Sequence, residues 1–510
     1  MDHFITKHQA GISGAISCFD RILFKGHLPL GWAEAMERFI ACQGLRLKDF
    51  GGFVNRHSER IKQHAKDMAE GAGRPYIYLD GPIRKEDRVQ ALLRHNPVTE
   101  GLVCVLAAVE SCQSFKLAYG EGRPRVVPAR RKCLCLYFYF LDRQFGLMHV
   151  RIATWFPFSV QVCLNGHDWL ARQMNRHGIG YRQLDNAFLA IDDPVRAQRM
   201  ADRFVKRNWP RILSALARRV NPLMNNLLRG MEYYWVTQQA EYATDVMFKN
   251  PAALKGLYEQ LLMHATCRLS AEDVMTFLGR KLNGNFAGEV GNHCRKRWPG
   301  ARVRHRMKEN GIKMYDKHGC VLRIETVINH PYEFKVRRRG IRKGKPMIDW
   351  FPMTKGVANL YRYAEVSLAA NRRYLNALAV VDDPTTARQQ IQSLANAVRH
   401  KGRSYRGFNP ASAQDIQLFA AAMRGEHLLQ GFCNRDIRQQ LVAPTRQAEH
   451  PQRASARISR LLKRLHAHGL IAKVQRSRRL RVTQKGHALM SAILTIHHHS
   501  YPYTLRRPAA

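Results

Sequence analysis

The feature that most constrains this 510-residue chain is an internal repeat. Four short segments of its first half recur in the same order in its second half, and a repeated sequence unit predicts a repeated fold. The matched pairs are Asn186–Pro194 with Asn376–Pro384, Leu141–Arg151 with Tyr315–Glu325, Phe50–Val54 with Phe286–Val290, and Asp20–Lys25 with Asp245–Lys249. The sequence therefore predicts a duplicated body that folds as a pseudo-dimer.

Each copy has the pattern of a mixed α/β unit. A β-branched and aromatic strand carries Asp20 or Asp245, and a helix rich in Ala and Leu follows it. A hairpin comes later, and we expect Asp142–Phe158 and Asp316–Tyr332 to be equivalent. The second arms of these hairpins alternate apolar and polar residues, which is typical of half-exposed strands. The alternating arms are Met148–Ile152 and Leu322–Thr326.

Two Asp-Pro pairs predict where the last helix of each copy begins. Asp193 and Asp383 can cap a helix, and the Pro that follows each of them suits a first helical turn. The predicted fold class is α+β, with an internally duplicated mixed α/β body and a separate C-terminal domain. The predicted parts are a first repeat over 1–207, a helical bridge with the second repeat over 208–405, and the C-terminal domain over 410–495.

The charge of the chain indicates a polyanionic partner. Lys and Arg number 83 and Asp and Glu number 39, which gives a formal net charge of +44. Neutralising phosphates releases counterions, so nucleic acid is the partner that this excess favours, although a ribosome-like surface or an acidic protein is an alternative. No run of about 18 apolar residues and no signal peptide is present, which argues against a membrane partner.

The cysteines point to a reducing compartment. The sequence holds 11 Cys, an odd number, and no CxxC pair, so neither a disulfide scaffold nor a zinc ribbon is indicated. Cys133 and Cys135 alternate within an apolar strand, where small buried side chains are expected. We therefore expect a cytoplasmic protein with reduced thiols.

The C-terminal region predicts two short helices, a longer helix and a hairpin. Ile458, Leu461, Leu462 and Leu465 form one apolar stripe on the longer helix, 454–468. The opposite face and the hairpin tip are basic, through Arg457, Arg460, Lys463, Arg464, His468, Arg476, Arg478 and Arg479. This segment resembles the winged helix-turn-helix domains of bacterial regulators. The resemblance implies that 454–468 enters a major groove of DNA and that the hairpin contacts the backbone.

The second repeat carries a candidate catalytic set. Lys313, Tyr315 and Lys317 share a face of one hairpin arm, and Arg323 and Glu325 share a face of the other. The pattern resembles the YDK…RxE signature of rolling-circle replication initiators. By that resemblance Tyr315 would attack a DNA phosphate and Glu325 would hold Mg²⁺ or Mn²⁺. Lys313 and Arg323 would neutralise the phosphate. Independently of the resemblance, Asp316 and Asp245 are candidates for further metal ligands.

Two other interpretations of these residues stay open. In the first, Tyr315 only packs in the hairpin, while Arg323 and Glu325 form an ion pair. In the second, carboxylates on separate strands serve two-metal phosphoryl chemistry of the ribonuclease-H type. That set would be Asp20, Glu110 and Asp142 in the first repeat, and the corresponding set in the second repeat would be Asp245, Asp316 and Glu325.

A basic stretch with interleaved aromatics adds a candidate nucleic-acid surface. Its arginines include Arg295, Arg297, Arg304, Arg306, Arg337, Arg338 and Arg339. Aromatic rings can stack on unpaired bases while arginines follow phosphates. The sequence thus predicts a nucleic-acid-binding protein of a mobile element, acting as a metal-dependent DNA nickase or strand-transfer enzyme. The alternative is a non-enzymatic regulator or a partner of RNA.

Overall fold

Long β-strands dominate the first half of the chain, and short helices dominate its C-terminal quarter. The computed structural model describes residues 1–81, 83–119, 124–281, 286, 288–296, 301–342, 344–381, 392–427, 431–441, 451–475, 477–495 and 497. These fall into two compact units, each built from separate stretches of chain. The first unit contains Met1–Ile12, Lys249–Gly319 and Ala369–Ala510, and the second contains Ser13–Phe248 and Cys320–Leu368.

The strands are numbered in chain order. They are β1 Ile12–His27, β2 Tyr76–Tyr78, β3 Gly101–Ala118, β4 Arg125–Asp142, β5 Gly146–Ala153, β6 Val160–Asn165, β7 Tyr181–Leu184, β8 Ala187–Ile191, β9 Tyr234–Phe248, β10 Val290–Lys296, β11 Ala301–Met307, β12 Asn310–Lys317, β13 Val321–Ile328, β14 Lys335–Arg342, β15 Lys345–Pro352, β16 Val398–His400, β17 Arg403–Tyr405, β18 Ile471–Lys473 and β19 Leu480–Val482.

The helices are numbered in the same way. They are α1 Asp2–Lys7, α2 Ala33–Cys42, α3 Phe50–Gly71, α4 Lys85–His95, α5 Gly166–Arg176, α6 Pro194–Ala201, α7 Trp209–Val220, α8 Pro251–Cys267, α9 Ala271–Phe277, α10 Leu360–Leu378, α11 Ala413–Ala422, α12 Asn434–Leu441, α13 Pro451–Ala467 and α14 Gln484–Thr495. None of the helices in the described part of the chain is long and apolar enough to cross a membrane.

The second unit is built on a mixed sheet with the strand order β13-β9-β1-β6-β5-β4-β3-β2. The pairs β13–β9, β1–β6, β6–β5, β5–β4 and β4–β3 are antiparallel, and β2 is parallel to β3. β1 and β9 are neighbours in the sheet, so the strands that carry Asp20 and Asp245 lie side by side. This adjacency positions the site described below.

Strands β5 and β13 correct one expectation. Both are strands, as the alternating pattern predicts, but they are not half-exposed. All eight residues of β13 are buried, and seven of the eight in β5 are buried. β8 packs on β13, and in β5 His149 lies against the rings of Tyr137 and Tyr139 while Arg151 pairs with Glu110. Protein groups therefore surround the side chains that the pattern assigned to solvent.

The predicted equivalence of the two hairpins is also wrong. β13 lies next to β9 in the sheet, whereas β6 separates β5 from β1. The turn that follows Asp142 therefore lies one strand further from the first strand of its copy than the turn that follows Asp316 does. The match between Leu141–Arg151 and Tyr315–Glu325 identified two similar turns. Turn residues recur for local reasons, however, and do not determine which position a strand takes in a sheet.

The predicted helix start at Asp193 is confirmed. Oδ1 of Asp193 accepts a hydrogen bond from Arg196 N at 2.8 Å, and Pro194 is the first residue of α6. The corresponding pair at Asp383 and Pro384 lies outside the described residues. The predicted helical bridge contains α7, after which β9 begins at Tyr234.

The first unit contains a three-stranded stretch, β10-β11-β12, and the C-terminal helices. The C-terminal part has its own apolar core, in which Phe419 and Leu418 of α11, Ile437 of α12, and Leu465 of α13 are 0% exposed. α13 ends before Gly469, whose φ of 71° is a left-handed conformation that glycine adopts without strain. α13, Pro451–Ala467, agrees with the predicted helix 454–468 to within about three residues at each end.

Candidate functional site

An arginine–carboxylate pair lies at the centre of the second unit's sheet. In the antiparallel register of β9 and β13, Arg323 stands directly opposite Asp245. Nε of Arg323 donates to Oδ1 of Asp245 at 2.6 Å, and Nη2 donates to Oδ2 at 2.7 Å. Both side chains are 0% exposed. Removing either partner would leave an uncompensated buried charge, so each residue holds the other in place.

β1 and α5 add an aspartate and a histidine to this pair. Asp20 accepts a hydrogen bond from Nη1 of Arg323 at 3.3 Å. His167 places Nδ1 3.3 Å from Oδ1 of Asp20 and Nε2 3.2 Å from Oδ2 of Asp245. The imidazole therefore lies between two carboxylates: its Nε2 is within hydrogen-bond reach of Asp245, and its Nδ1 is at ion-pair distance from Asp20. We call Asp20, His167, Asp245 and Arg323 the central cluster.

The local sequence explains why α5 reaches the sheet at this point. Asn165 caps α5 by accepting hydrogen bonds from the backbone of His167 and Asp168. The next residue, Gly166, lies against β1, where an added Cβ would collide with the carbonyl oxygen of Phe19. Glycine thus permits the close approach that carries His167 into the central cluster.

The central cluster shifts the pKa values of its members in opposite directions. Burial lowers the pKa of His167, but Cys18 and the carboxylates of Asp20 and Asp245 outweigh burial and raise it well above its usual value. Burial raises the pKa of Asp245, but Arg323 and His167 outweigh burial and lower it overall. At neutral pH these shifts favour a positively charged His167 and a negatively charged Asp245 beside the guanidinium of Arg323.

An acidic trio adjoins the central cluster. One carboxylate oxygen from each of Asp20, Glu241 and Glu325 lies within 4.8 Å of the other two, a separation that a shared cation could bridge. Asp20 and Glu325 are buried and Glu241 is half-buried. Oxygen ligands are those that Mg²⁺ and Mn²⁺ prefer, so these three residues are the best candidates for holding such an ion.

The structure rearranges the predicted metal ligands. Glu325 remains in the set, but Asp245 has both of its oxygens bound by Arg323. Asp316 forms a turn, since its Oδ1 accepts from Gly319 N at 2.9 Å. Asp142 does the same for the turn that follows it, because its Oδ1 accepts from Gln144 N at 2.7 Å. Neither Asp142 nor Asp316 belongs to the acidic trio.

The predicted nucleophile, Tyr315, is only 6% exposed. It lies opposite Arg302 in the β11–β12 pair, and Lys313 lies opposite Arg304, so these four residues share one face of the strands. The predicted basic surroundings of Tyr315 are therefore present. Little of the tyrosine is open to a phosphate, however, and its role as a nucleophile stays a prediction.

The predicted role of Arg323 is replaced by another. Its guanidinium is 0% exposed and donates to Asp245, to Asp20 and, at 2.5 Å, to the carbonyl oxygen of Asn186. A side chain engaged in this way supports the fold of the central cluster and is not placed to neutralise a DNA phosphate. Glu110 also has a different role from the one in the predicted carboxylate set: it binds Arg151 and Lys85, away from the acidic trio.

A basic face lies on α13 of the first unit. Arg453, Arg457, Arg460 and Lys463 are all exposed, whereas Ile458 and Leu465 on the other side are 0% exposed. The predicted face included Arg464 and His468 as well, and the structure corrects both. Arg464 is 6% exposed and pairs with Asp415, and His468 is 4% exposed and lies 3.0 Å from the carbonyl oxygen of Arg406.

The hairpin β18–β19 carries part of its predicted basic tip. Arg478 is exposed, and Arg479 is half-buried with its Nη1 donating to the carbonyl oxygen of Gly431 at 2.8 Å. Arg476 lies outside the described residues. A bridge between Phe432 and Leu480 places a further extended segment beside this hairpin.

A second basic surface is the two-stranded ribbon β14–β15 of the second unit. Arg337, Arg338 and Arg339 are exposed, as predicted for a surface stretch, and they pair in register with Trp350, Asp349 and Ile348. Trp350 is 48% exposed and Ile348 is 65% exposed. In the first unit Arg295 and Arg306 are exposed and Arg304 is half-buried, while Arg297 lies outside the described residues.

Two residues of these sites were missed by the sequence analysis. Glu241 lies four positions before Asp245 on the same strand, so the period of two would have placed both on one face. His167 had no such signal, because it reaches the central cluster through α5, which is distant in sequence from β9 and β13.

Comparisons of the chain with protein-family models, with curated proteins and with solved structures found no match in any of the three.

Proposed function

We propose that this protein binds duplex DNA through a C-terminal winged helix, with α13 in the major groove. The observation that carries the proposal is the division of α13 into two faces. Arg453, Arg457, Arg460 and Lys463 point to solvent, and the opposite side is part of the apolar core. A helix fixed by its apolar face presents its basic face rigidly, as recognition helices do.

The order of elements supports the winged-helix assignment. α11, α12 and α13 are followed by the β18–β19 hairpin, as in the predicted helix, helix, recognition helix and wing. Arg478 at the hairpin tip is exposed and would contact the DNA backbone. The ribbon β14–β15 would supply further contacts, because a two-stranded ribbon with exposed arginines also fits a major groove.

The test is a salt titration of duplex binding by the full-length chain. We expect Arg457→Ala, Arg460→Ala and Lys463→Ala, combined, to weaken binding and to reduce the log–log salt slope by roughly one unit for each lost phosphate contact. The matched control removes three exposed basic residues from α3, with Arg56→Ala, Arg60→Ala and Lys66→Ala. If the two variants lose affinity equally, net charge alone drives binding and α13 is not the recognition helix.

We further propose metal-dependent cleavage or transfer of a DNA strand at the acidic trio, as a nickase or strand-transfer enzyme of a mobile element would perform. The trio's geometry favours this second function, since three carboxylates meet there within reach of one ion. Asp20, Glu241 and Glu325 would hold Mg²⁺ or Mn²⁺, which stabilises charge on phosphoryl oxygens. The half-buried Glu241 marks the side from which a strand would approach.

Cleavage of a labelled DNA strand in Mn²⁺ tests this second function. We expect Glu241→Gln to abolish cleavage, and the exposed Glu232→Gln in the same unit to leave it intact. Tyr315→Phe separates the two chemistries, because a tyrosine nickase loses covalent attachment to DNA, whereas a carboxylate site retains its activity. If no variant and no wild-type protein cleaves any strand, the protein is a non-enzymatic binder, and a preference for RNA over duplex DNA would assign it to RNA.

We also propose that the body arose by duplication. β1 is followed by helices, with the short strand β2 between α3 and α4, and then by β3–β6, the last of which pairs with β1. β9 is followed by helices and then by β10–β13, the last of which pairs with β9. On this correspondence Asp20 and Asp245 occupy equivalent strands, and β6 corresponds to β13.

A further inference from the structure

Three cysteines come together on one face of β3 and β4 in the second unit. Cys133 stands opposite Glu110 in the strand register, and Cys112 and Cys135 lie two positions further along their own strands. The sulfur of Cys135 is 3.3 Å from that of Cys112 and 4.0 Å from that of Cys133. All three sulfurs lie within 4.8 Å of one another. We call them the thiol trio.

These separations are close to those of a shared thiolate-bound ion. Tetrahedral zinc–sulfur bonds of about 2.3 Å place the sulfurs of one site roughly 3.8 Å apart. The 4.0 Å between Cys133 and Cys135 fits this value, and the 3.3 Å between Cys112 and Cys135 would widen on binding. Cys112 and Cys135 are buried, and Cys133 is half-buried. An ion would therefore enter past Cys133, and the deeper two sulfurs would be shielded from solvent.

Arg151 of β5 organises the thiol trio. Its Nη2 donates to the sulfur of Cys135 at 2.9 Å and to that of Cys112 at 3.1 Å. Its Nε donates to Oε2 of Glu110 at 3.1 Å. The other oxygen of Glu110 accepts from Lys85 at 3.0 Å and from the hydroxyl of Tyr137 at 2.6 Å. Metal-binding thiolates commonly have such hydrogen-bonded neighbours, which orient the ligands.

The charges around the thiol trio favour a dication. Three thiolates and Glu110 would carry four negative charges, and Arg151 and Lys85 supply two positive ones. Three thiolates packed this closely repel one another, so a bound cation is needed for all three to ionise together. A divalent ion supplies the two missing positive charges and allows every thiol to release its proton.

We propose that Cys112, Cys133 and Cys135 form a binding site for a soft divalent cation of the Zn²⁺ class. Each thiol loses its proton on binding, so metal uptake acidifies an unbuffered solution. Three protein ligands leave a fourth position open to water or to an external ligand. This site is independent of the acidic trio, whose oxygen ligands suit harder ions.

Cadmium is the probe, because bound thiolates give it an ultraviolet charge-transfer absorption that histidine ligands do not produce. We expect reduced full-length protein to show a band that saturates at one Cd²⁺ per chain. Cys133→Ser should remove the intensity of one thiolate and weaken binding. Zn²⁺ should compete with Cd²⁺ for the site.

Cys42→Ser and Cys267→Ser are the matched controls, since both of these cysteines are exposed. We expect both controls to retain the full band. Cys133 is preferred to the fully buried Cys135 for the decisive variant because a partly exposed side chain tolerates serine better. A full-intensity band in Cys133→Ser, or no saturable band in the wild-type protein, would overturn the proposal.

Discussion

At the scale of single residues, the most informative side chains are buried charges on strands. Arg151 of β5 is 7% exposed and Arg323 of β13 is 0% exposed. Both occupy the alternate positions that the sequence pattern assigned to a solvated face. A buried guanidinium is tolerated only when its donors are bound, and Glu110 and Asp245 provide carboxylates for that purpose. Arg151 lies beside the thiol trio and Arg323 lies in the central cluster, so each of these arginines belongs to a buried polar site of the second unit.

Asp245→Asn should destabilise the second unit strongly. The change leaves Arg323 buried beside a neutral amide, and breaking a buried pair in this way costs about 3–5 kcal/mol. Unfolding in urea, followed by tryptophan fluorescence at neutral pH, measures the loss. Because the pKa of Asp245 is lowered in the folded protein, its contribution is present above the unfolded pKa and declines as the pH falls toward the folded pKa.

The control for this measurement is Asp49→Asn. Asp49 forms a surface pair with Arg46, and both side chains are more than half exposed, so the change should be nearly neutral. An Asp245→Asn protein as stable as Asp49→Asn would show that the Asp245–Arg323 pair does not hold the sheet centre together.

At the scale of elements, α13 shows how one helix serves two purposes. Arg464 donates to both oxygens of Asp415, at 2.9 and 3.1 Å, and its guanidinium lies 3.8 Å from the ring centre of Phe408. Arg460, one turn earlier, is exposed. Both arginines fit a basic helical face in the sequence, and only the packing of α11 against the helix assigns one of them to the core.

Arg464→Ala and Arg460→Ala should therefore separate folding from binding. Arg464→Ala leaves Asp415 buried without its cation, so we expect the C-terminal core to unfold about 3–5 kcal/mol more easily. Arg460→Ala should leave the thermal midpoint unchanged and reduce the salt slope of DNA binding. Differential scanning fluorimetry and salt-dependent binding, carried out on both full-length variants, make the comparison. Equal midpoints for the two variants would contradict the core role of Arg464.

Individual strands and helices were predicted better than the neighbours beside which each strand lies in the sheet. The alternation in β5 and β13, the cap at Asp193 and the apolar stripe of α13 identified strands and helices, because each depends on local periodicity. The hairpin correspondence failed at the next step. Turn residues such as Asp142 and Asp316 indicate a reversal of the chain but not which strand will lie alongside.

At the scale of the whole molecule, the net charge of +44 is concentrated in part on a few exposed surfaces. Exposed arginines and lysines cover one face of α13 and strand β14 of the ribbon β14–β15. Such density of positive charge is expected to steer a polyanion toward the protein and to make binding sensitive to salt. The composition alone gives the sign and size of the net charge, but not the elements that carry it.

The predicted domains are consecutive stretches of the chain, but the compact units of the structure are not. The predicted boundaries cut the chain into consecutive pieces, whereas each compact unit draws on separate stretches, such as Lys249–Gly319 and Ala369–Ala510 in the first unit. Sequence patterns are read over short windows. Long-range strand pairing, such as that of β1 with β6, joins stretches that no such window contains.

The sequence by itself determined the mixed α and β character, the basic charge, the helices of the C-terminal region and several strands, because composition and periodicity are properties of neighbouring residues. It also supplied Asp20, Glu325 and Arg323 as candidates. Only the tertiary structure decided that Arg323 pairs with Asp245, that Glu241 joins the acidic trio and that three cysteines meet beside Arg151. These contacts join residues far apart along the chain, and they depend on strand order and register, which local patterns do not specify.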